Sequence, residues 1–81
     1  MPFYSDSDLY RIIGINIKHY REQHKLTQVQ LAEQAEISVS YLSKIEASGC
    51  EKSLSISALN QIANVLGVEI CKFFKEVENN A

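Results

Sequence analysis

Residues 27–46 read TQVQLAEQAEISVSYLSKIE, and this stretch decides the fold. Thr27, with Gln30 three positions later, fits a capping box, which predicts that a helix begins at this point. Ser38 belongs to a favoured class of N-cap residue and predicts the start of a second helix. Because the connection between the two helices is so short, they must cross steeply instead of lying antiparallel.

The two helices have the pattern that a helix-turn-helix requires. Ala32 supplies a small side chain where the helices cross, and no proline interrupts either helix. The side chains expected to fill the inner faces are Leu31, Ala35, Ile37, Leu42 and Ile45. The outward face of the second helix lacks large hydrophobic side chains, as a helix that reaches base edges in a DNA groove must. The stretch therefore predicts a DNA-binding helix-turn-helix over residues 27–46.

Apolar residues also recur at helical spacing before the motif. They are Leu9, Ile13, Ile17 and Tyr20, at intervals of four, four and three residues. This spacing predicts a first helix over about residues 8–24, preceded by a cluster of N-cap residues at 5–8. Gly14 lies inside this helix, where it costs about 1 kcal/mol relative to alanine, and it therefore predicts the close approach of another helix.

Two more helices are expected after a polar loop. Ser55 or Ser57 is expected to cap the fourth helix, and Gly67 to end it. Its apolar residues are Ile56, Leu59, Ile62, Ala63 and Leu66. A short, strongly apolar fifth helix is expected from Val68, Ile70, Cys71, Phe73, Phe74 and Val77. The predicted fold class is therefore all-α, with five helices.

The composition fits one small globular domain. The chain has 81 residues, of which 46% are hydrophobic and 22% charged, so it is too apolar for a disordered protein. No apolar run approaches the roughly 18 residues of a membrane span, and the start lacks the order of a signal peptide, which predicts a cytoplasmic protein. We expect the domain at residues 9–77, an N-terminal segment at 1–8 and a frayed C-terminus at 78–81.

The net charge of −2 is unusual for a protein that binds DNA, but the distribution of charge is more informative. Basic side chains collect within residues 9–27, whereas acidic ones gather toward both ends of the chain. A basic stripe on a weakly acidic body is compatible with DNA, and we expect modest affinity for each monomer.

Cysteine, histidine and serine residues do not indicate a metal site or an enzyme. Cys50 and Cys71 are expected to be reduced thiols, with Cys71 packed in an apolar face; zinc binding or redox sensing is the alternative. His19 and His24 are expected to be solvated, because no third ligand accompanies them. No serine lies in a nucleophile motif. We therefore expect no catalytic residue, metal, cofactor or small-molecule ligand.

Residues typical of one known family are spread over about residues 9–75. They are Ile13-Gly14, Ile17-Lys18, Arg21, Leu26-Thr27-Gln28, Leu31-Ala32, Ile37-Ser38, Leu42-Ser43, Ile45-Glu46, Leu59, Ile62-Ala63 and Leu66-Gly67-Val68. In these residues the chain resembles the Cro and phage-repressor-like (XRE) regulators. The resemblance implies five helices, with the third in the DNA major groove, and a sequence-specific transcriptional regulator, most simply a repressor. Its length also resembles restriction–modification controller proteins and stand-alone mobile-element regulators.

The resemblance implies DNA contacts at both helices of the motif. Thr27 and Gln28, with the amides at the start of the second helix, are expected to bind a phosphate. From the third helix, Val39 would contact a thymine methyl, Ser40 several bases, and Lys44 the O6 or N7 atom of guanine. The remaining expected contacts, chiefly to the DNA backbone, are Ser38, Tyr41, Ser43 and Lys52. The alternative for Tyr41 is packing against the second helix.

Two further residues are expected to hold the motif in place. Arg21 and Glu46 resemble a pair that forms an ion pair in this family, and a bidentate bridge between them would fix the exit angle of the third helix. Glu36 occupies a turn position that most often holds glycine. A positive φ at this residue would carry strain of about 1 kcal/mol.

A homodimer on a palindromic site in double-stranded DNA is the expected assembly. One small helix buries too little surface for selective binding, whereas two half-sites roughly add their free energies. The expected dimer interface consists of Ile70, Phe73, Phe74 and Val77. The alternative is a protein-binding module, such as an antitoxin or an adaptor, which the net acidity and the nearly neutral recognition face favour a little.

Overall fold

The computed structural model describes residues 5–47 and 54–76, which form four α-helices and one 3-10 helix. These are α1 (Asp6–Gln23), α2 (Gln28–Ala35), α3 (Val39–Glu46), α4 (Ile56–Leu66) and the 3-10 helix Ile70–Phe74. The predicted all-helical fold is confirmed over these residues, although the fifth helix is a short 3-10 helix. The predictions for Lys52, Val77, Cys50 and residues 78–81 lie outside the described residues.

A hydroxyl side chain caps each of the four α-helices. Ser5, Thr27, Ser38 and Ser55 each accept a hydrogen bond from the backbone N–H three residues later, at distances of 2.9 to 3.1 Å. The predicted caps at Thr27 and Ser38 are confirmed, and of the two candidates for α4 it is Ser55 that caps the helix. Because Ser5 caps α1, this helix begins at Asp6, inside the segment that was expected to precede the domain.

Three of the α-helices are followed, within two residues, by a residue with left-handed backbone conformation. These residues are Lys25 (φ 58°), Glu36 (φ 60°) and Gly67 (φ 68°). In each case the next residue donates its backbone N–H to a carbonyl five positions earlier, as in a Schellman motif. The bonds run from Leu26 to Arg21, from Ile37 to Ala32 and from Val68 to Ala63. The positive φ considered for Glu36 is present, and a second one, which the sequence did not indicate, occurs at Lys25.

One hydrophobic core is shared by all five helices. Its buried residues are Ile13, Ile17, Leu31, Ala32, Ala35, Leu42, Ile45, Leu59, Ile62, Ala63, Leu66 and Phe73. The backbones of α1 and α3 come closest at Gly14, where a Cβ atom would overlap the carbonyl oxygen of Ile45. The close helix approach predicted from Gly14 is therefore confirmed, and the approaching helix is α3.

A buried asparagine joins α1 to the end of the 3-10 helix. The Nδ2 atom of Asn16 donates to the carbonyl oxygens of Phe73 at 2.8 Å and of Lys75 at 2.7 Å. These bonds satisfy carbonyls that have no partner within so short a helix. Asn16 therefore holds the C-terminal segment against α1, a role that no pattern in the sequence predicts.

The 3-10 helix corrects two expectations from the sequence. Phe73 has 0% of its surface exposed, so its side chain belongs to the core and has no surface for a dimer contact. Cys71 is exposed rather than packed in an apolar face. With three residues per turn, Ile70 and Phe73 share the inner side of the 3-10 helix, and Cys71 falls on another side. Ile70 and Phe74 remain partly exposed.

Replacing Gly14 by alanine is expected to lower the free energy of unfolding by about 1–3 kcal/mol, because the added methyl group collides with the backbone of α3. Helix propensity alone favours alanine and predicts the opposite sign. Urea unfolding measures the difference, and Lys18→Ala, at an exposed position of α1, should change stability by less than about 0.5 kcal/mol. A Gly14→Ala protein as stable as the wild type would contradict the close approach.

Candidate nucleic-acid interface

The third helix is divided into a buried and an exposed face. Leu42 is 0% and Ile45 2% exposed, so both anchor α3 in the core as the sequence predicted. On the other side, the exposed side chains are those of Val39, Ser40, Ser43 and Lys44. We call these four residues the reading face. They bring short polar groups, one apolar group and one positive charge to a single surface.

The start of α2 leaves two backbone donors available. Thr27 Oγ1 accepts a hydrogen bond from the backbone N–H of Gln30 at 3.0 Å, and Gln30 Oε1 accepts one from the N–H of Thr27 at 2.9 Å. The predicted capping box is thus complete. The N–H groups of Gln28 and Val29 remain as first-turn donors at the positive end of the helix dipole.

Arg21, Glu46 and Gln28 form a hydrogen-bonded network that links α1, α2 and α3. The guanidinium of Arg21 donates from Nε to Glu46 Oε2 at 2.7 Å and from Nη2 to Glu46 Oε1 at 3.0 Å. Its Nη1 atom donates to the carbonyl oxygen of Leu26 at 2.7 Å. The Nε2 atom of Gln28 also donates to Glu46 Oε1, at 3.0 Å. The predicted ion pair is therefore present. The side chain of Gln28 also bonds to it, and this contact was not predicted.

The Arg21–Glu46 ion pair within this network is largely removed from solvent, whereas Gln28 is half-buried. The side chains of Arg21 and Glu46 are only 10% and 4% exposed. The hydrogen bond with Glu46 raises the pKa of Arg21 above its ordinary value, more than burial lowers it. The geometry thus favours the charged form of a guanidinium that proteins do not deprotonate, and this positive charge lies directly against Glu46.

Tyr41 makes a contact that was not predicted from the sequence. Its hydroxyl oxygen accepts a hydrogen bond from the backbone N–H of Ser55 at 3.0 Å. The side chain is partly buried against the core. Tyr41 therefore holds the N-terminus of α4 against α3, and its hydroxyl lies toward α4. The hydroxyl of Ser38, in turn, is engaged as the cap of α3.

In the part of the chain that the structure describes, the remaining candidate residues are not gathered into a metal site or a membrane segment. His19 and His24 are exposed, as expected, and His24 Nδ1 lies 2.9 Å from the carbonyl oxygen of Tyr20. Within residues 5–47 and 54–76, no three potential metal-ligating side chains come together. The helices of this same part of the chain are all too short or too polar to cross a lipid bilayer.

A crossed pair of helices with an exposed reading face is the arrangement of a helix-turn-helix, and the family of that description matches residues 17–73. The chain belongs to the helix-turn-helix family. The resemblance to Cro and phage-repressor-like regulators is thereby confirmed.

This chain is similar to three proteins of different kinds: a phage repressor, a regulator for biofilm formation and an enzyme. An immunity repressor protein of Bacillus phage phi105 is 47% identical over 58 residues, which are 72% of this chain and 39% of the repressor, so the match spans less than half of that protein. SinR, a master regulator for biofilm formation solved in complex with DNA, is 35% identical with a TM-score of 0.71, over 78% of this chain and 98% of the SinR chain. Hydroxypropylphosphonic acid epoxidase from S. wedmorenis has a TM-score of 0.74 at 24% identity, over 89% of this chain and 37% of the enzyme, and shares the fold alone.

Replacing Glu46 by alanine is expected to lower the free energy of unfolding by about 3–5 kcal/mol, because it leaves the guanidinium of Arg21 buried without its acid. Urea unfolding measures this loss. Glu33→Ala removes an exposed carboxylate from α2 and should cost less than about 0.5 kcal/mol. Equal, small effects of the two substitutions would show that the network does not support the fold.

Proposed function

We propose that this chain is a sequence-specific DNA-binding transcriptional regulator that acts as a repressor and inserts α3 into the major groove. The observation that carries the proposal is the exposed reading face on a helix whose opposite face is fully buried. A helix held in this way presents the same side chains in the same orientation at every encounter with DNA. A fixed orientation of these side chains is needed to distinguish one base sequence from another.

The reading face supplies three kinds of base contact. The ammonium of Lys44 is a donor for the O6 and N7 atoms of guanine, and Val39 is an apolar partner for the methyl group of thymine. The hydroxyl of Ser40 donates or accepts, so it suits several bases. Ser43 is suited to the flanking sugar–phosphate backbone. The face has neither arginine nor glutamine, so DNA shape is expected to contribute to specificity beside these contacts.

The start of α2 supplies the phosphate contact that sets the register of α3. The N–H groups of Gln28 and Val29 and the half-buried amide of Gln28 lie at the positive end of the helix dipole. Gln28 also bonds to Glu46, the last residue of α3, so this phosphate site is fixed relative to the reading helix. The hydroxyl oxygen of Thr27 accepts the capping bond from the N–H of Gln30, which leaves its O–H group to donate to the phosphate.

We propose that the regulator works as a homodimer on a palindromic operator. The net charge of −2 and the single lysine of the reading face make binding by one subunit weak, and a second half-site roughly adds its own free energy. The partly exposed side chains of Ile70 and Phe74 support a dimer surface at the 3-10 helix. Half-sites would then lie about 34 Å apart.

The same proposal includes the direction of regulation, which is repression, and the cellular compartment in which the protein acts. The phage phi105 relative is an immunity repressor, and occlusion of RNA polymerase by a bound dimer is the simplest mechanism of repression. A regulator of this kind acts in the cytoplasm, where bacterial and phage DNA is transcribed. The proposal includes no catalytic activity, since the sequence holds no nucleophile motif and the likeness to the epoxidase extends to the fold alone.

Removing the side chains of Ser40 and Lys44 tests the reading face. On a duplex selected by the wild-type chain, each alanine variant is expected to lose about 1–3 kcal/mol of binding free energy, and its preference for that duplex over a random one should fall. Lys75→Ala removes the same charge as Lys44→Ala from an exposed position after the 3-10 helix and is the matched control.

The salt dependence of binding distinguishes DNA from a protein partner. The logarithm of the wild-type affinity should fall linearly with the logarithm of salt concentration, as expected when phosphate contacts release counterions. Unchanged affinity and preference in Ser40→Ala and Lys44→Ala, together with a flat salt dependence, would contradict the proposal and favour a protein-binding module.

A further inference from the structure

The structure assigns Glu46 a second role: we infer that its carboxylate positions the side chain of Gln28 for a DNA phosphate, beyond its part in the ion pair with Arg21. This inference rests on the proposed function, because it concerns the phosphate contact at the start of α2. It makes Glu46 a positioning residue of the DNA site, although this residue does not itself contact DNA.

The carboxylate of Glu46 determines which end of the Gln28 amide turns inward. A carboxylate is an acceptor only, so the NH2 group of Gln28, and not its carbonyl oxygen, must face Glu46 Oε1 at 3.0 Å. An NH2 group has two hydrogens, of which this bond uses one. The second hydrogen remains for a ligand next to the exposed start of α2, where the N–H groups of Gln28 and Val29 are also available.

The charge of Glu46 would repel a phosphate if it were not compensated. Arg21 compensates it through two hydrogen bonds, at 2.7 and 3.0 Å, and the pair is almost excluded from solvent. The carboxylate can therefore act as an acceptor for Gln28 without opposing an anion beside it. Arg21 in turn donates to the carbonyl oxygen of Leu26, so hydrogen bonds connect α1 continuously to Gln28.

Holding the side chain of Gln28 in advance lowers the entropy lost on binding. A free glutamine side chain must order several torsions when it binds, and this loss of conformational entropy weakens binding. Glu46 has already imposed that order in the unbound protein, through a charge-assisted hydrogen bond. Loss of the carboxylate should therefore weaken DNA binding through Gln28 even when the protein remains folded.

A double-mutant cycle in DNA affinity tests this coupling. In Glu46→Gln the remaining carbonyl oxygen is taken by the guanidinium of Arg21, which leaves Gln28 without a charged acceptor. We expect Glu46→Gln to lower affinity for a selected duplex roughly fivefold when Gln28 is present. In the Gln28→Ala background it should change affinity by no more than about twofold. Gln34→Ala, at an exposed position of the same helix, is the matched control and should show no coupling to Glu46.

A measurement on the wild-type chain tests the same inference without relying on the folding of a variant. In a ¹⁵N-labelled protein, the side-chain NH2 hydrogens of Gln28 should exchange with water more slowly than those of Gln34. On addition of the selected duplex, one Gln28 hydrogen should keep its resonance and the second should shift. A Gln28 amide that is released from Glu46 when DNA binds would overturn the inference.

The outcomes separate this inference from the proposed function. Equal losses from Glu46→Gln in both backgrounds, in a protein that binds its operator through Ser40 and Lys44, would overturn the role of Glu46 alone. A wild-type chain that selects no DNA would overturn the proposed function and the inference together. Coupling confined to Gln28, with one hydrogen retained by Glu46, supports both.

Discussion

The hydrogen-bonded ion pair between Arg21 and Glu46 is the interaction on which the presentation of α3 depends. Glu46 is the last residue of α3, and Arg21 lies in the last turn of α1, so the pair fixes where the reading helix ends. The close contact at Gly14 brings the backbones of these two helices together at the same place. Backbone packing and a buried charge pair therefore act on one junction, and each limits the movement that the other would allow.

This junction explains how so small a domain can hold its reading face steady. A chain of 81 residues buries a limited core, and that core contacts only one side of α3. The other fixed points are polar: the cap at Ser38, the bond from Ser55 to Tyr41 and the bond from Gln28 to Glu46. Because polar bonds are directional, they determine orientation where the hydrophobic contacts determine only proximity.

The parts of the structure that could be predicted from the sequence are those with local rules. The capping box at Thr27 and the cap at Ser38 each follow from a few neighbouring residues. Gly14 indicated a close approach because glycine is unfavourable inside a helix, although the residue that approaches it, Ile45, is distant in the sequence. The Arg21–Glu46 pair was anticipated only because the chain resembles a family that has it.

The features that were missed depend on contacts between distant residues. Asn16 is far along the chain from the C-terminal carbonyls that it bonds, and Gln28 is far from Glu46. No local sequence pattern therefore predicts either contact. The prediction for Cys71 was wrong because α-helical spacing was assumed where the chain forms a 3-10 helix. Phe73 was assigned to a dimer surface because its hydrophobicity was evident, whereas its complete burial depends on α1.

The central claim, that this rigid α3 recognises DNA sequence, is tested most directly by selecting duplexes from a random pool with the purified full chain and sequencing them. We expect enrichment of a palindrome whose half-sites are centred about one helical turn apart, whereas a pool that stays random after repeated selection would contradict this claim.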